Sequence, residues 1–264
     1  MTSDATSPSE PATLLDVANG VATIRLNRPA NRNALSQEMV TSILDSLRTA
    51  IADPAARVIV FTGTGTVFCA GADLKERLAA NTGSEDGPPL FVHIFEEIQG
   101  SAKPVVAMLN GSALAGGLGL ACSCDIVIAP DTAMFGFTEV RIGVAPAIIS
   151  VVCLPRLRHA DAAELFLTGE RISAAEALRV GLINRCVPAD QVQAMTDELV
   201  GRLLLGGPEA MAATKKLLRD VPSIPSQAEA FATMAKLSGQ LFASAEAAEG
   251  MAAFAQKRKP TWAE

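Results

Sequence analysis

The chain has 264 residues, of which 49% are hydrophobic, so one sizeable core with room for an appendage is expected. Its net charge of −6, its lack of tyrosine and its single tryptophan argue against a nucleic-acid partner, which wants phosphate-neutralising cations and stacking platforms. The odd set of five cysteines, Cys69, Cys122, Cys124, Cys153 and Cys186, has no framework spacing, so reduced and mostly buried thiols are expected.

Residues 1–12 are small and polar, with neither the basic region nor the apolar core of a signal peptide, and are expected to form a disordered tail. The cytoplasm is the expected location. Leu14 to Val17 and Val21 to Leu26 flank Asn19-Gly20, the strongest short hairpin signal. Ser36 is expected to cap a helix whose apolar face runs Met39, Val40, Ile43, Leu44, Leu47, Ile51, and Pro54 stops it. Val58 to Phe61 is a predicted buried strand, with Thr62 to Gly65 a turn. Phe68 to Asp73 is a small-residue loop opening another helix. Asn81 to Pro89 is predicted to be an exposed loop, and Leu90 to Ile98 resumes helical spacing.

The run from Val105 to Ala129 is long and apolar. Its polar and glycine interruptions make it a strand–helix–strand unit and not a membrane span. Pro146 to Leu154 and Ala160 to Leu167 are predicted helices, Ser173 to Glu176 a capping box, and Arg185 to Val187 a last strand. Beyond residue 189 only helices are expected, near 190–205, 208–219, 226–242 and 246–256. Strands alternating with helices imply a mainly parallel, buried sheet.

The stretch from Leu109 to Glu139 organises this plan. Gly116, Gly117 and Gly119 stand where a strand hands over to a helix, whose first N–H groups have no internal partner. Glu139 follows among apolar neighbours. Donors for an oxyanion and a group to move a proton are the two parts that enolate chemistry needs. Ala70-Gly71-Ala72 is a second such turn and is expected to meet the first. Taken alone, both read more readily as tight turns needed for packing. The commoner engines are missing: there is no phosphate loop, no dinucleotide glycine triplet and no G-x-S-x-G. His93 and His159 read as surface or structural histidines. Cys122 and Cys124 lack the partners of a metal site, so none is expected. Asp73 and Asp125 are expected to cap or bond backbone N–H groups.

Asn27-Arg28-Pro29, Asn33-Ala34-Leu35, Phe68 to Leu74, Lys103 to Ala107, Ala115 to Ala121, Phe137 to Gly143, Leu167 to Glu170 and Gly181-Leu182-Ile183 together resemble the enoyl-CoA hydratase/isomerase (crotonase) family, in order across nearly the whole chain after residue 13. The resemblance implies an α/β fold, a crotonase-like spiral of ββα units over 13–188, with a C-terminal helical region over 189–264 for oligomer contacts. It implies an acyl-CoA thioester as substrate, no separate cofactor, and a homotrimer or dimer of trimers.

The backbone N–H groups of Ala72 and Gly116 would hold the thioester oxygen. Ala70, Ala72 and Arg32 would contact CoA, and Glu139 would be the general base, its pKa raised by apolar surroundings. The family's first glutamate falls at Gly119, which carries no side chain. A water in the room left there would return the second proton, and that room suggests a branched or glutaconyl-type acyl group. Hydration by a single glutamate is the leading expectation. Double-bond isomerisation by the same glutamate and a non-catalytic acyl-CoA scaffold are the alternatives.

Overall fold

The computed structural model describes residues 10–80 and 90–263. The expected loop 81–89 and the first nine tail residues lie outside that range. Residues 10–12, expected in the tail, are held to the fold: Ala12 is buried, its carbonyl accepts the Asn27 N–H at 2.8 Å, and Asn27 Nδ2 donates to the exposed Glu10.

β1 (Thr13–Ala18) and β2 (Val21–Leu26) form the hairpin, with Asn19 and Gly20 both at positive φ. Ser36 then caps α1 (Gln37–Ala52) by accepting the Met39 N–H at 3.2 Å. The strand β3 (Val58–Gly63) runs two residues further than its apolar run, because Arg25 and Leu26 of β2 pair with Thr62 and Gly63. Next come β4 (Val67–Cys69), α2 (Leu74–Ala80), α3 (Leu90–Gly100), β5 (Val105–Met108) and β6 (Ser112–Leu114). They are followed by α4 (Gly116–Ser123), β7 (Ile126–Pro130), β8 (Met134–Gly136), α5 (Ala147–Cys153) and α6 (His159–Thr168). The strand β9 (Ile172–Ser173), α7 (Ala174–Val180) and β10 (Arg185–Val187) complete the sheets, and α8 (Val192–Leu204), α9 (Pro208–Asp220), α10 (Gln227–Phe242) and α11 (Ala245–Ala255) follow.

The strands make two sheets. One has the order β1-β2-β3-β5-β7-β10, parallel except for the hairpin; the other has the order β4-β6-β8-β9. The larger sheet is covered on both faces. Val58 and Val60 of β3 pack with Val192 and Val200 of α8, while Ile59 and Phe61 face Met39, Ile43 and Ile98 of the main core. Side chains alternate along a strand, so burial of both faces demands an unbroken apolar run. Each fully buried Ile or Phe contributes about 1.5–3 kcal/mol.

The second sheet is the part the sequence pattern left out. Its strands are two or three residues long, too short for a period to show. It lifts the segments after β4 and β6 to one edge, where the two glycine turns end.

The C-terminal helices are tied down by two partly buried cations. Lys215 of α9 donates to the carbonyls of Ile98 and Lys103 and pairs with Asp125 at 2.8 Å. Asp125 also accepts the Val105 N–H at 2.7 Å, as expected of it. Arg57 donates to the carbonyls of Leu204, Gly206 and Trp262.

Candidate active site

The two turns meet. Gly71 has φ +93°, a conformation side chains resist, and a Cβ there would stand 2.9 Å from Ala115 Cβ and 3.3 Å from the Gly116 nitrogen. Gly117 is pressed against the end of β4: its Cβ would lie 2.4 Å from the Cys69 carbonyl oxygen. Both positions need glycine for this contact, whatever else the turns do.

The direction of the Ala72 N–H follows from its pairing. Leu35 and Ala72 form an isolated parallel bridge: the Leu35 N–H donates to the Gly71 carbonyl at 2.8 Å, and the Asp73 N–H points to the Leu35 carbonyl at 3.5 Å. In a parallel bridge the flanking residues make the bonds, so Ala72 turns its own N–H away from Leu35. Gly116 begins α4, where an N–H has no partner inside the helix. Among the described residues no acceptor sits on either group. Ala115, just before, holds φ 50° and ψ −127°, strained for a residue with a Cβ. Strain of this kind persists only where surrounding structure enforces it, and it is concentrated at functional sites.

A cavity of about 1000 Å³ opens beside this junction, lined by Ala70, Ala72, Gly116 and Glu139 among others. Glu139 stands in the first turn of a short 3-10 helix, Thr138–Ile142. Its Oε2 is buried with no hydrogen-bond partner among the described residues. Burial raises its pKa above the usual carboxylate range, and its own backbone N–H pulls weakly the other way. An acid without a neutralising partner at a cavity wall is a candidate for proton transfer.

Arg32 is not among the lining residues. Its side chain is exposed, and its carbonyl accepts the Ala70 N–H at 3.1 Å, so its visible role is to hold the first turn. Arg28 is engaged with Glu38, and Lys75 is exposed. Asp73 caps α2 through the N–H groups of Lys75 and Glu76. His93 pairs with Glu96 on the surface, and His159 is exposed. Ser173 caps α7, but the box is half built: Glu176 turns to Arg179. The free thiols of Cys69, Cys122, Cys124 and Cys153 are buried.

The expectation at Gly119 is overturned. There is no room for a water behind it, because a Cβ at Gly119 would be 2.4 Å from Ile149 Cγ2. What the glycine vacates, Ile149 fills. Sequence reasoning also missed Arg77, Arg141 and Arg171, which line the cavity with Glu170. Their signal was a cation near each glycine turn or glutamate, and no spacing rule isolates that.

The two glycine turns and the half-buried Glu139 thus border one cavity. Comparison with known proteins gives the class of protein. A model of the enoyl-CoA hydratase/isomerase family matches residues 16–264, and the chain belongs to that family. The enoyl-CoA hydratase EchA19 of Mycobacterium tuberculosis is 35% identical over 263 residues, covering 98% of each chain. The 2,3-dehydroadipyl-CoA hydratase of Escherichia coli is 34% identical, over 91% of this chain and 94% of its own. The solved structure of Pseudomonas aeruginosa AtuE superposes with a TM-score of 0.89 at 35% identity, covering 96% of this chain and all of that one. The fold is therefore the mixed α/β crotonase fold. Among the described residues no helix is long and apolar enough to cross a membrane.

Proposed function

We propose that this chain is an enoyl-CoA hydratase that works with one carboxylate. The observation that carries the reading is the unpartnered, buried Oε2 of Glu139 in the cavity that Ala72 and Gly116 also line. In the proposed reaction Glu139 takes a proton from water as the water oxygen bonds to the β-carbon of the enoyl thioester. The double-bond electrons move through the α-carbon to the thioester oxygen, where the N–H groups of Ala72 and Gly116 hold the charge. Two such donors are typically worth a few kcal/mol each. The enolate then collapses, and its α-carbon takes the proton back from Glu139. One water has been added, and the carboxylate is regenerated. With Ile149 behind Gly119, Glu139 itself returns the proton.

The lack of a carboxylate at position 119 supports a second reading, isomerisation, in which Glu139 carries a proton from the α- to the γ-carbon. The test separates them. A 2-enoyl-CoA and a 3-enoyl-CoA are each incubated in 18O-labelled water and the products weighed by mass spectrometry. Hydration puts the label into the product; isomerisation moves the double bond without it. Glu139→Gln is expected to lose at least 10²-fold in rate. Full activity of that variant on every thioester tried overturns the reading, and CoA-ester binding with no turnover by the wild type means a scaffold instead.

A carboxyl-bearing acyl group stays within the proposal on new ground. Arg77, Arg141 and Arg171 outnumber Glu139 and Glu170 around the cavity, and one relative is named for 2,3-dehydroadipyl-CoA, whose acyl chain ends in a carboxylate. The CoA contacts of Ala70, Ala72 and Arg32, a cytoplasmic setting and a homotrimer or dimer of trimers belong to the same reading. The exposed Phe231, Phe242 and Phe254 of the C-terminal helices support the assembly.

A further inference from the structure

Ile149 and Phe91 form part of the cavity wall, with Phe95 in contact with Phe91. Ile149 of α5 lines the cavity and is only 2% exposed. A Cβ at Gly119 of α4 would meet Ile149 Cγ2 at 2.4 Å, Ile149 Cβ at 2.9 Å and Phe95 Cζ at 3.1 Å. Phe95 in turn stacks edge-on against Phe91, with centroids 5.4 Å apart and planes at 89°, and Phe91 lines the cavity too. Gly119 and Ile149 are thus complementary: position 119 does not accept a side chain while Ile149 stays as it is.

We propose that Ile149 is a specificity-determining residue, the wall that closes the alcove over Gly119 and limits the acyl chain admitted beside Glu139. This rests on the thioester reading above. Ile149 is β-branched, and in a helix its χ1 is confined to essentially one rotamer, so the wall is stiff. Its backing of Phe95 and a glycine presents no polar side chain, so a space opened by truncating it would stay dry and suit hydrocarbon. An acyl chain that reaches this wall gains room when Ile149 is shortened. Each methylene then buried is worth about fourfold in affinity.

The test measures Kd by calorimetry for butyryl-, hexanoyl- and octanoyl-CoA, saturated thioesters that cannot add water. Ile149→Ala is expected to raise the affinity for a longer chain relative to butyryl-CoA about fourfold for each methylene admitted. Ile149→Val, which removes one methyl, should move the same ratio less and keeps the test readable if the alanine variant fails to fold. A second measurement needs no ligand. Gly119→Ala should lower the melting temperature, and it should lower it less in an Ile149→Ala background, where the 2.4 Å contact with Cγ2 is gone. A chain-length ratio unchanged within twofold, in a wild type that binds these thioesters, overturns the inference and leaves the thioester reading standing. So does a Gly119→Ala variant as stable as wild type. A wild type that binds none of the three overturns both.

Discussion

The six-stranded sheet and the C-terminal helices handle apolar surface in opposite ways. Every residue of β3 is buried, and its two faces pack against different helices. Helices α9 and α10 bury no residue, and Leu218, Phe231, Phe242 and Phe254 are 68–87% exposed. One region is complete within the chain; the other offers apolar faces that nothing among the described residues covers. The candidate site lies outside the C-terminal helices: Ala70, Ala72 and Gly116 follow β4 and β6 of the smaller sheet, and every residue lining the cavity precedes α7. The candidate site and the exposed apolar faces are therefore separable by mutation, and the sharpest tests act on one region while reading the other.

The largest effect is expected at Gly117. A methyl there would lie 2.4 Å from the Cys69 carbonyl oxygen and 2.8 Å from its carbon, and backbone cannot step aside as a side chain can. Gly117→Ala should cost about 3 kcal/mol or more. For a chain this long that lowers the melting temperature by roughly 6–12 °C. Thioester affinity should fall as well, because the same contact sets the Gly116 N–H. A fully stable variant would mean that the two turns are less tightly joined than described.

Next is Lys215, whose side chain is 9% exposed and makes three polar contacts across the boundary between the regions. Lys215→Met strands two carbonyls and Asp125. Removing one partner of a largely buried ion pair costs about 3 kcal/mol, somewhat less here because Asp125 keeps the Val105 N–H. Limited proteolysis should then cut within α9 to α11 before it cuts the sheets. Simultaneous loss of both regions would show that they unfold as one unit and would blunt the comparison.

The contrast also explains what could be read in advance. Long signals carried the first region: the buried run of β3, the Asn19-Gly20 turn, the cap at Ser36. They arise from local chemistry, which is present in the sequence itself. The strands β6, β8 and β9 left no trace because two or three residues cannot show a period. At the site, Glu139 was legible as an acid among apolar neighbours, and Ala72 and Gly116 through the ordered motifs around them. Gly119 was misread for a definite reason. A sequence shows that a side chain is missing at 119, but it does not show that Ile149, thirty residues later, arrives to fill the place.

A smaller effect is expected on the exposed faces. Phe254, at 87% exposure, loses little within the chain when replaced, so Phe254→Ser with Phe231→Ser should change monomer stability by no more than about 0.5 kcal/mol. If these faces join copies as proposed, light scattering will show a lower mass for the double variant, and its melting temperature will become more dependent on concentration. A wild type already monomeric at all concentrations would leave the exposed phenylalanines without that explanation.

The smallest effect returns to Glu139 and links stability to chemistry. Its folded-state pKa is raised by burial, whereas the unfolded chain holds it near 4.3. Between those two values the folded state binds more protons, so this group's contribution makes stability fall as pH rises through the window. Above the folded value the cost is constant, and below 4.3 it vanishes because both states are protonated. At pH 7 wild type therefore carries a penalty that Glu139→Gln lacks. The variant should melt slightly higher at neutral pH, by at most a few degrees, while its turnover collapses, and the gap should close as pH drops through the window. Melting curves of both proteins from pH 4 to pH 8 read this directly. A gap that is flat with pH, or a variant less stable at pH 7 than at pH 4 relative to wild type, would mean that the carboxylate has a partner in the folded protein after all, and an acid already held in a bond is not free to serve as the single base.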